Sequence, residues 1–318
     1  MRSHPPTLLT LARRALHGPC RLDARSHVLV AVSGGPDSIA LLHVCCMLRD
    51  RGVIGAVSAH GVDHGLRPEA GAELTLAAEL AGKHGVAFAV TAVSVAPGAN
   101  LQARARTARW TALAEARLLA GADVIATGHH HDDRAETVLI RLLRGAPLPA
   151  LGVLPARDGD RVRPFITASR ADVAAHIQRH KLAFAEDPSN SSARFLRVRV
   201  RHEVLPLLEQ LSPRIRENLT DLADAVLARN ALDHTERTER SGQVGQACAV
   251  LPDPRVESKR ALAALARPSK NPNARVSLKG GVVLSVGGAQ TLEGRARPTA
   301  QPVHHRAPFR PKKNDSEP

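Results

Sequence analysis

The apolar run His27-Val28-Leu29-Val30-Ala31-Val32 passes directly into Ser33-Gly34-Gly35-Pro36-Asp37-Ser38, and this junction constrains the fold more than any other stretch of the chain. A strand-length apolar run, a glycine pair and then a helix-compatible segment, about Asp37 to Leu48, read as a strand-to-helix turn. Glycine reaches φ > 0 without steric penalty and lets a ligand approach the backbone closely. Successive N–H groups and the N-terminus of the following helix then point at one place, an arrangement that binds anions. Ser33 and Ser38 add hydroxyl donors, and Asp37 is also a residue type that caps helices. The turn lacks both the Walker A lysine and the dinucleotide spacing G-x-G-x-x-G, so it reads as a phosphate cradle of another kind.

From His27 to about Arg144 the chain alternates strand-like and helix-like segments. Apolar runs at His27–Val32, Ile54–Ala59, Val86–Val95 and Asp123–Thr127 are separated by helical patterns at Asp37–Leu48, Glu69–His84, Gln102–Leu119 and Asp132–Arg144. Nearly continuous apolar strands have no polar face, so both faces must be covered by helices. This predicts an α/β fold with a doubly wound parallel sheet. Ligands in such sheets bind beyond the carboxyl ends of the strands, where the cradle lies.

The Pro- and Gly-rich stretch Ala146–Asp160 breaks the pattern and reads as a linker or a loop over the site. Helical segments follow at about Arg170–His180, Arg194–Gln210 and Pro213–Arg240, giving a mostly helical second domain. Val276–Leu292 is compatible with a β-hairpin turning at Gly280-Gly281. The expected divisions are a helical lead-in over 1–25, with a short amphipathic helix, the α/β domain over 26–150, the helical domain over 151–294, and a basic, Pro-rich tail over 295–318 with the composition of a disordered segment.

A length of 318 residues suits two domains, and 43% apolar content suits a packed core. Aromatics are only 2%, with no Tyr, so Leu, Val and Ala must build that core. The formal charge of +14, from 44 Lys and Arg against 30 Asp and Glu, points to a polyanionic partner, nucleic acid first. Residues 255–318 carry 13 of those cations against 4 acids. Cys20, Cys45, Cys46 and Cys248 form no C-x-x-C pair, which reads as reduced thiols in a cytoplasmic protein. No apolar run is long enough to span a membrane, and the N-terminus lacks a signal-peptide cleavage pattern.

A second constellation, Gly128-His129-His130-His131-Asp132-Asp133-Arg134-Ala135-Glu136-Thr137, again leaves a strand and enters a helix. Asp132, Asp133 and Glu136 fall in or near the first turn, where carboxylates favour the helix dipole, and Asp133 and Glu136 share a face. Such a pair can ligate Mg²⁺ beside phosphates or grip the amino group of a substrate. Zinc is disfavoured at the His run, because three consecutive His cannot all face one ion and neither H-E-x-x-H nor a Cys partner is present. Arg194, Arg197 and Arg201 share a helical face by their three- and four-residue spacing, as a track for nucleic-acid phosphates would.

Taken in order, these residues resemble a known family. The loop at Ser33–Ser38 is similar to the S-G-G-x-D-S pyrophosphate loop of enzymes that cleave ATP to AMP and pyrophosphate. Val62-Asp63-His64-Gly65-Leu66-Arg67, Asn100-Leu101-Gln102, Ala105-Arg106, Arg109-Trp110, the His129–Thr137 box with Arg144-Gly145, Arg163-Pro164-Phe165, Glu186-Asp187-Pro188-Ser189-Asn190, Arg197–Arg201 and Leu205-Pro206 follow. Over about residues 27–220 the chain resembles the short members of the tRNA(Ile)-lysidine synthase branch of those enzymes. It departs in having Gly61 where His is usual, with His60 one place earlier, Val198 where the family has Asn, and Trp110 where Tyr is usual. Base-thiolating relatives carry C-x-x-C pairs, which this chain lacks.

The resemblance implies an ATP-dependent ligase that adenylates the wobble cytidine of a CAU-anticodon isoleucine tRNA and then joins free L-lysine to its C2. It implies ATP binding by Ser33, Gly34, Gly35, Pro36, Asp37, Ser38, His64, Gly128 and His129, with Mg²⁺ on Asp37. Lysine binding falls to Arg106, Asp133 and Glu136, and Arg106 with Arg109 would offset negative charge near the adenylate. Asp37, Asp133 and Glu136 are the implied catalytic set, and Arg194, Arg197 and Arg201 the implied tRNA contacts. A monomer and a homodimer are both left open.

Overall fold

The computed structural model of the chain describes residues 5–63, 70–96, 98–185, 196–242, 275–278 and 282–285. His64, Cys248, the Glu186–Asn190 motif, Arg194, the expected Gly280-Gly281 turn and the tail lie outside them. Helix α1 (Leu8–His17) precedes four βα segments: β1 (His27–Val32), α2 (Pro36–Asp50), β2 (Ala56–Asp63), α3 (Ala70–Lys83), β3 (Ala87–Ala92), α4 (Leu101–Leu119), β4 (Val124–Ala126) and α5 (His131–Leu143). After a short 3₁₀ turn come β5 (Arg157–Asp158), β6 (Arg161–Val162), α6 (Arg170–His180), α7 (Leu196–Arg199), a π-helical turn over Val200–Val204, α8 (Leu205–Leu211) and α9 (Ile215–Gly242). Strands β7 (Arg275–Leu278) and β8 (Val282–Ser285) pair antiparallel, as expected of the hairpin.

The main sheet has the order β3-β2-β1-β4-β6-β5, parallel throughout except for β5 against β6. Strand β1 is central and buried on both faces, and its alternation decides what each face meets. Val28, Val30 and Val32 enter a core shared with α1, α2 and α6, while Leu29 and Ala31 pack with Leu113, Ala116 and Ile125 on the α4 side. With few aromatics available, Leu and Ile supply most of the largest fully buried side chains, among them Leu16, Ile39, Leu41, Leu42 and Leu48. The expected amphipathic helix near the N-terminus is α1, which buries Leu8, Ala12 and Leu16 in this core.

The first core continues past residue 150. Strand β6 pairs with β4 in the main sheet, and Phe165, Ala168, Val173 and Ile177 belong to the same core as α2. The edge strand β5 lies within the stretch read as a linker or a loop over the site, and β6 follows it. A two-residue strand is too short to show as an apolar run. A second core joins α5 to the later helices through Ala135, Val138, Val153, Val200, Leu205, Leu219 and Ala223.

Gly61 faces α3 so closely that a Cβ there would lie 2.6 Å from Leu74 Cδ2, whereas His60 is buried on the opposite face and hydrogen-bonds Thr91 Oγ1 at 2.8 Å. A side chain at 61 would therefore have to turn the Leu74 side chain aside. Phe165 is fully buried in the first core. Phe165→Ala should lower unfolding free energy by about 3–5 kcal/mol in denaturant titration, the usual cost of emptying a buried aromatic site. A loss under about 1 kcal/mol would place Phe165 outside the sheet's core.

Candidate active site

Two turns meet at the carboxyl edge of the sheet, one after β1 and one after β4. These strands are neighbours, with chain connections leaving in opposite directions, so the crevice between them is the topological switch point. At the first turn Gly34 has φ +82°, and a Cβ there would lie 2.4 Å from the Glu73 carbonyl oxygen of α3. Both the conformation and the space require glycine. Ser38 is buried and acts within the loop: its hydroxyl donates to Gly35 O at 2.9 Å and accepts from Ser33 N–H at 3.1 Å. It therefore shapes the cradle, and the exposed Ser33 sets its own hydroxyl 3.3 Å from Ser38 Oγ at the loop's outer edge. Helix α2 starts at Pro36 with Gly35 as N-cap and no side-chain cap, which leaves its N-terminal end open to a ligand.

The second turn comes against the first through Gly128, where a Cβ would sit 2.8 Å from Asp37 O. Ala185 donates its N–H to Gly34 O at 2.9 Å and so ties the stretch after α6 to the cradle's edge. His129 bonds Thr127 Oγ1 through Nδ1 at 2.9 Å. Burial, reinforced by Arg163, Arg106 and Arg197 against the pull of Asp133, lowers its pKa to about 4. The ring is neutral at physiological pH and can share a hydrogen bond without adding charge.

His130 is the N-cap of α5 in a reciprocal capping box: Asp133 N–H donates to His130 Nδ1, and His130 N–H donates to Asp133 Oδ2 at 3.1 Å. Since Nδ1 accepts, the ring proton sits on Nε2. That atom is fully buried without a hydrogen-bond partner, 3.7 Å from Asp37 Oδ1 and 3.6 Å from Asp133 Oδ2. A donor is thus fixed between the two expected catalytic aspartates, a placement the sequence pattern did not assign to His130. Burial raises the Asp37 pKa, with the Asp133 charge adding to it, although His130, Arg170 and Arg201 pull the other way. At Asp133 burial also pushes upward, but His130, Arg197 and His129 outweigh it and hold the carboxyl below the usual range.

Glu136 has a fully buried carboxylate. It accepts from Arg201 Nε at 2.6 Å and Nη2 at 3.0 Å, from Arg197 Nε at 2.8 Å, and from Arg170 Nη2 at 3.4 Å. Arg197 Nη2 also reaches Asp133 Oδ1 at 3.0 Å. Arg197 and Arg201, expected to face tRNA phosphates, are therefore turned onto the first turn of α5. The cause is electrostatic, because a carboxylate removed from water needs cationic donors to replace its hydration. Asp132 ties in two more elements, accepting Arg170 N–H at 2.7 Å from α6 and Arg216 Nη1 at 2.6 Å from α9. Arg134 leaves the same turn to form a two-pronged pair with Asp224 of α9.

On α4, Arg106 is exposed, and its charge together with burial lowers the Arg109 pKa. Arg106 also bears on His129, which places its charge on this crevice. Among the described residues neither arginine has a carboxylate partner. Trp110 serves the opposite core and carries the Arg161 guanidinium 4.0 Å over its ring. Glu136→Ala should cost about 3–5 kcal/mol in chemical unfolding, because it removes the buried carboxylate on which three guanidinium groups converge, whereas Arg199→Ala, whose pair with Glu203 is exposed, should cost under about 1 kcal/mol. Equal effects would show that the Glu136 cluster is not what joins α5 to the later helices.

The comparisons agree with this geometry. The chain is 41% identical over 187 residues to a tRNA(Ile)-lysidine synthase of Pseudomonas fluorescens, covering 58% of this chain and 42% of that protein. It is 40% identical over 204 residues to one of Nitratidesulfovibrio vulgaris, covering 62% and 58% respectively. The chain spans about half the length of the relatives it matches. A solved U34-tRNA thiolase from Methanococcus maripaludis, with its [4Fe-4S] cluster, shares the fold with a TM-score of 0.59 at 17% identity, over 70% of this chain and 78% of that one. Residues 9–208, from α1 through the cradle and the carboxylate turn into α8, match the PP-loop domain, and the chain belongs to that family.

Proposed function

We propose that this chain uses ATP to activate the wobble cytidine of a CAU-anticodon isoleucine tRNA and then joins L-lysine to C2 of that base. The observation that carries the reading is the meeting, at one switch point, of an anion cradle with an acidic helix turn. The names of relatives about 40% identical support it. In the first step the C2 carbonyl oxygen attacks the α-phosphorus, the bond to the β-phosphate oxygen breaks and pyrophosphate leaves. In the second, the lysine amine attacks C2, loses a proton, and AMP departs with the former carbonyl oxygen.

The cradle N–H groups of Gly34, Gly35 and the α2 N-terminus stabilise charge building on pyrophosphate, as preorganised donors do. Ser33, Pro36, Ser38, Gly128 and His129 complete the ATP set, to which His64 is also assigned. Asp37 fits Mg²⁺, since it is a carboxylate in the first turn of the cradle helix with 35% of its side chain exposed, and Mg²⁺ takes one or two carboxylates plus phosphate oxygens. The ion supplies neutralising charge at the phosphates. His130 Nε2–H keeps Asp37 and Asp133 apart in charge terms by lying between them.

Asp133 and Glu136 receive lysine. Because both already accept from guanidinium groups, lysine's ammonium takes a place by exchange with Arg197, the more exposed of the two arginines at 44% against 20% for Arg201. Arg106 faces the lysine carboxylate, and with Arg109 it offsets the adenylate. Arg197, once displaced, and Arg194 meet tRNA phosphates, in keeping with the chain's net charge of +14. Incubation with ATP, labelled lysine and total bacterial tRNA should place label in a single tRNA species. Label in none, or spread over many, would refute the substrate assignment. Asp37→Ala should lower pyrophosphate release by about two orders of magnitude or more while tRNA binding stays within a few-fold. Near wild-type release in this variant would remove Asp37 from the phosphate site.

A further inference from the structure

Behind the cradle, α2 and α6 press three histidines together. His43 lies two turns into α2, and His176 and His180 stand one turn apart on α6, a spacing that puts both imidazoles on one face. One ring nitrogen from each can be chosen so that all three lie within 4.8 Å of one another. His43 Nδ1 is 2.9 Å from His176 Nε2, and the ring centroids of the trio are 4.5 to 5.1 Å apart. His43 and His176 are buried and His180 is half-buried, so the outer side of the cluster is open to solvent. Among the described residues no other group of three metal-binding side chains comes this close.

We propose that His43, His176 and His180 bind one divalent transition-metal ion of the borderline class that zinc represents, with a water completing its coordination. Three imidazole nitrogens without a carboxylate select that class over Mg²⁺ or Ca²⁺, which take oxygen donors. The nitrogens are available. Burial, and then the neighbouring imidazoles, lower the pKa of both His43 and His176 to about 4, so each keeps a lone pair at neutral pH. His84, whose ring meets His43 edge-on with centroids 5.2 Å apart, walls the cluster on the α3 side. The consecutive histidines 129–131 take no part: their rings bond Thr127, Asp133 and Thr220 instead.

The ion would fasten α6 to α2. Helix α6 begins at Arg170, whose N–H bonds Asp132 and whose side chain reaches Glu136, so the metal would stiffen the support of the carboxylate turn from a distance. Its role is structural, and it stands independently of the proposed substrate.

The test uses the full chain without a histidine tag, stripped with a chelator, exchanged into chelator-free buffer and given zinc chloride. Elemental analysis after gel filtration should find one zinc per chain, and zinc should raise the thermal midpoint. The double variant His176→Gln, His180→Gln should retain no zinc, while His202→Gln, a surface control, should retain it all. Cobalt(II) should give wild-type protein the visible ligand-field absorption of a low-symmetry four-coordinate site, displaced by zinc. That spectrum decides the matter even if the double variant fails to fold. Zinc kept by a folded double variant, or neither zinc uptake nor a cobalt spectrum in wild type, would mean that the cluster is imidazole packing only.

Discussion

The ion cluster on Glu136 is the interaction on which the rest of the site depends. A carboxylate with no solvent exposure survives as an anion only if donors replace its hydration, and three guanidinium groups do so here. Those groups come from α6, from α7 and from the π-helical turn. The one side chain thereby ties the late helices to the N-terminal half of α5, and α5 is held to the sheet by its position after β4. Asp132 and Arg134 repeat the device toward α6 and α9. Removing the carboxylate would leave three neighbouring guanidinium groups in mutual repulsion, so the arrangement is cooperative and not a sum of separate bridges.

This packing also separates the jobs of the acidic groups. Asp37 lies in the cradle helix with its pKa raised by burial, whereas Asp133, one hydrogen bond from the capping histidine and one from Arg197, is held anionic. Environments that push two nearby carboxyls apart are how one cleft performs two kinds of chemistry. In the reaction we propose, that division would serve a phosphate step on the α2 side and an amine step on the α5 side. His129, neutral and fixed by Thr127, stands between them without adding charge.

Much of the fold was legible because strand and helix periods differ. Strand β1 was readable to the residue, since it is central, apolar on both faces and stopped by Ser33-Gly34-Gly35. Helix α6 was readable because Ser169 and Asp172 form a capping box and the pattern ends at Lys181 with φ 51°. Strand β6 was not, for two residues carry no period, and its place in the sheet depends on pairing with β4. Helical spacing put Arg197 and Arg201 on one face but could not say which way that face looks; the buried Glu136, sixty-odd positions away, decides it. The His43 cluster escaped notice for the same reason, because its members are 133 residues apart until α6 docks on α2. Ser38 matched the expected motif, and its hydroxyl also shapes the loop by donating to Gly35 O, which the motif alone does not show.

The central claim is that the cradle and the acidic turn of α5 carry successive half-reactions. Glu136→Gln tests it most directly, because the amide keeps the size of the carboxylate and one of its two acceptor oxygens while removing its charge, and charge-assisted bonds are roughly twice as strong as neutral ones. Pyrophosphate release with ATP and tRNA, and lysine transfer to tRNA, would be measured separately on the purified variant. The account predicts that pyrophosphate release persists while lysine transfer slows, with an apparent KM for lysine well above the wild-type value. Collapse of pyrophosphate release, with lysine dependence unchanged, would contradict it and move Glu136 to the nucleotide side of the cleft.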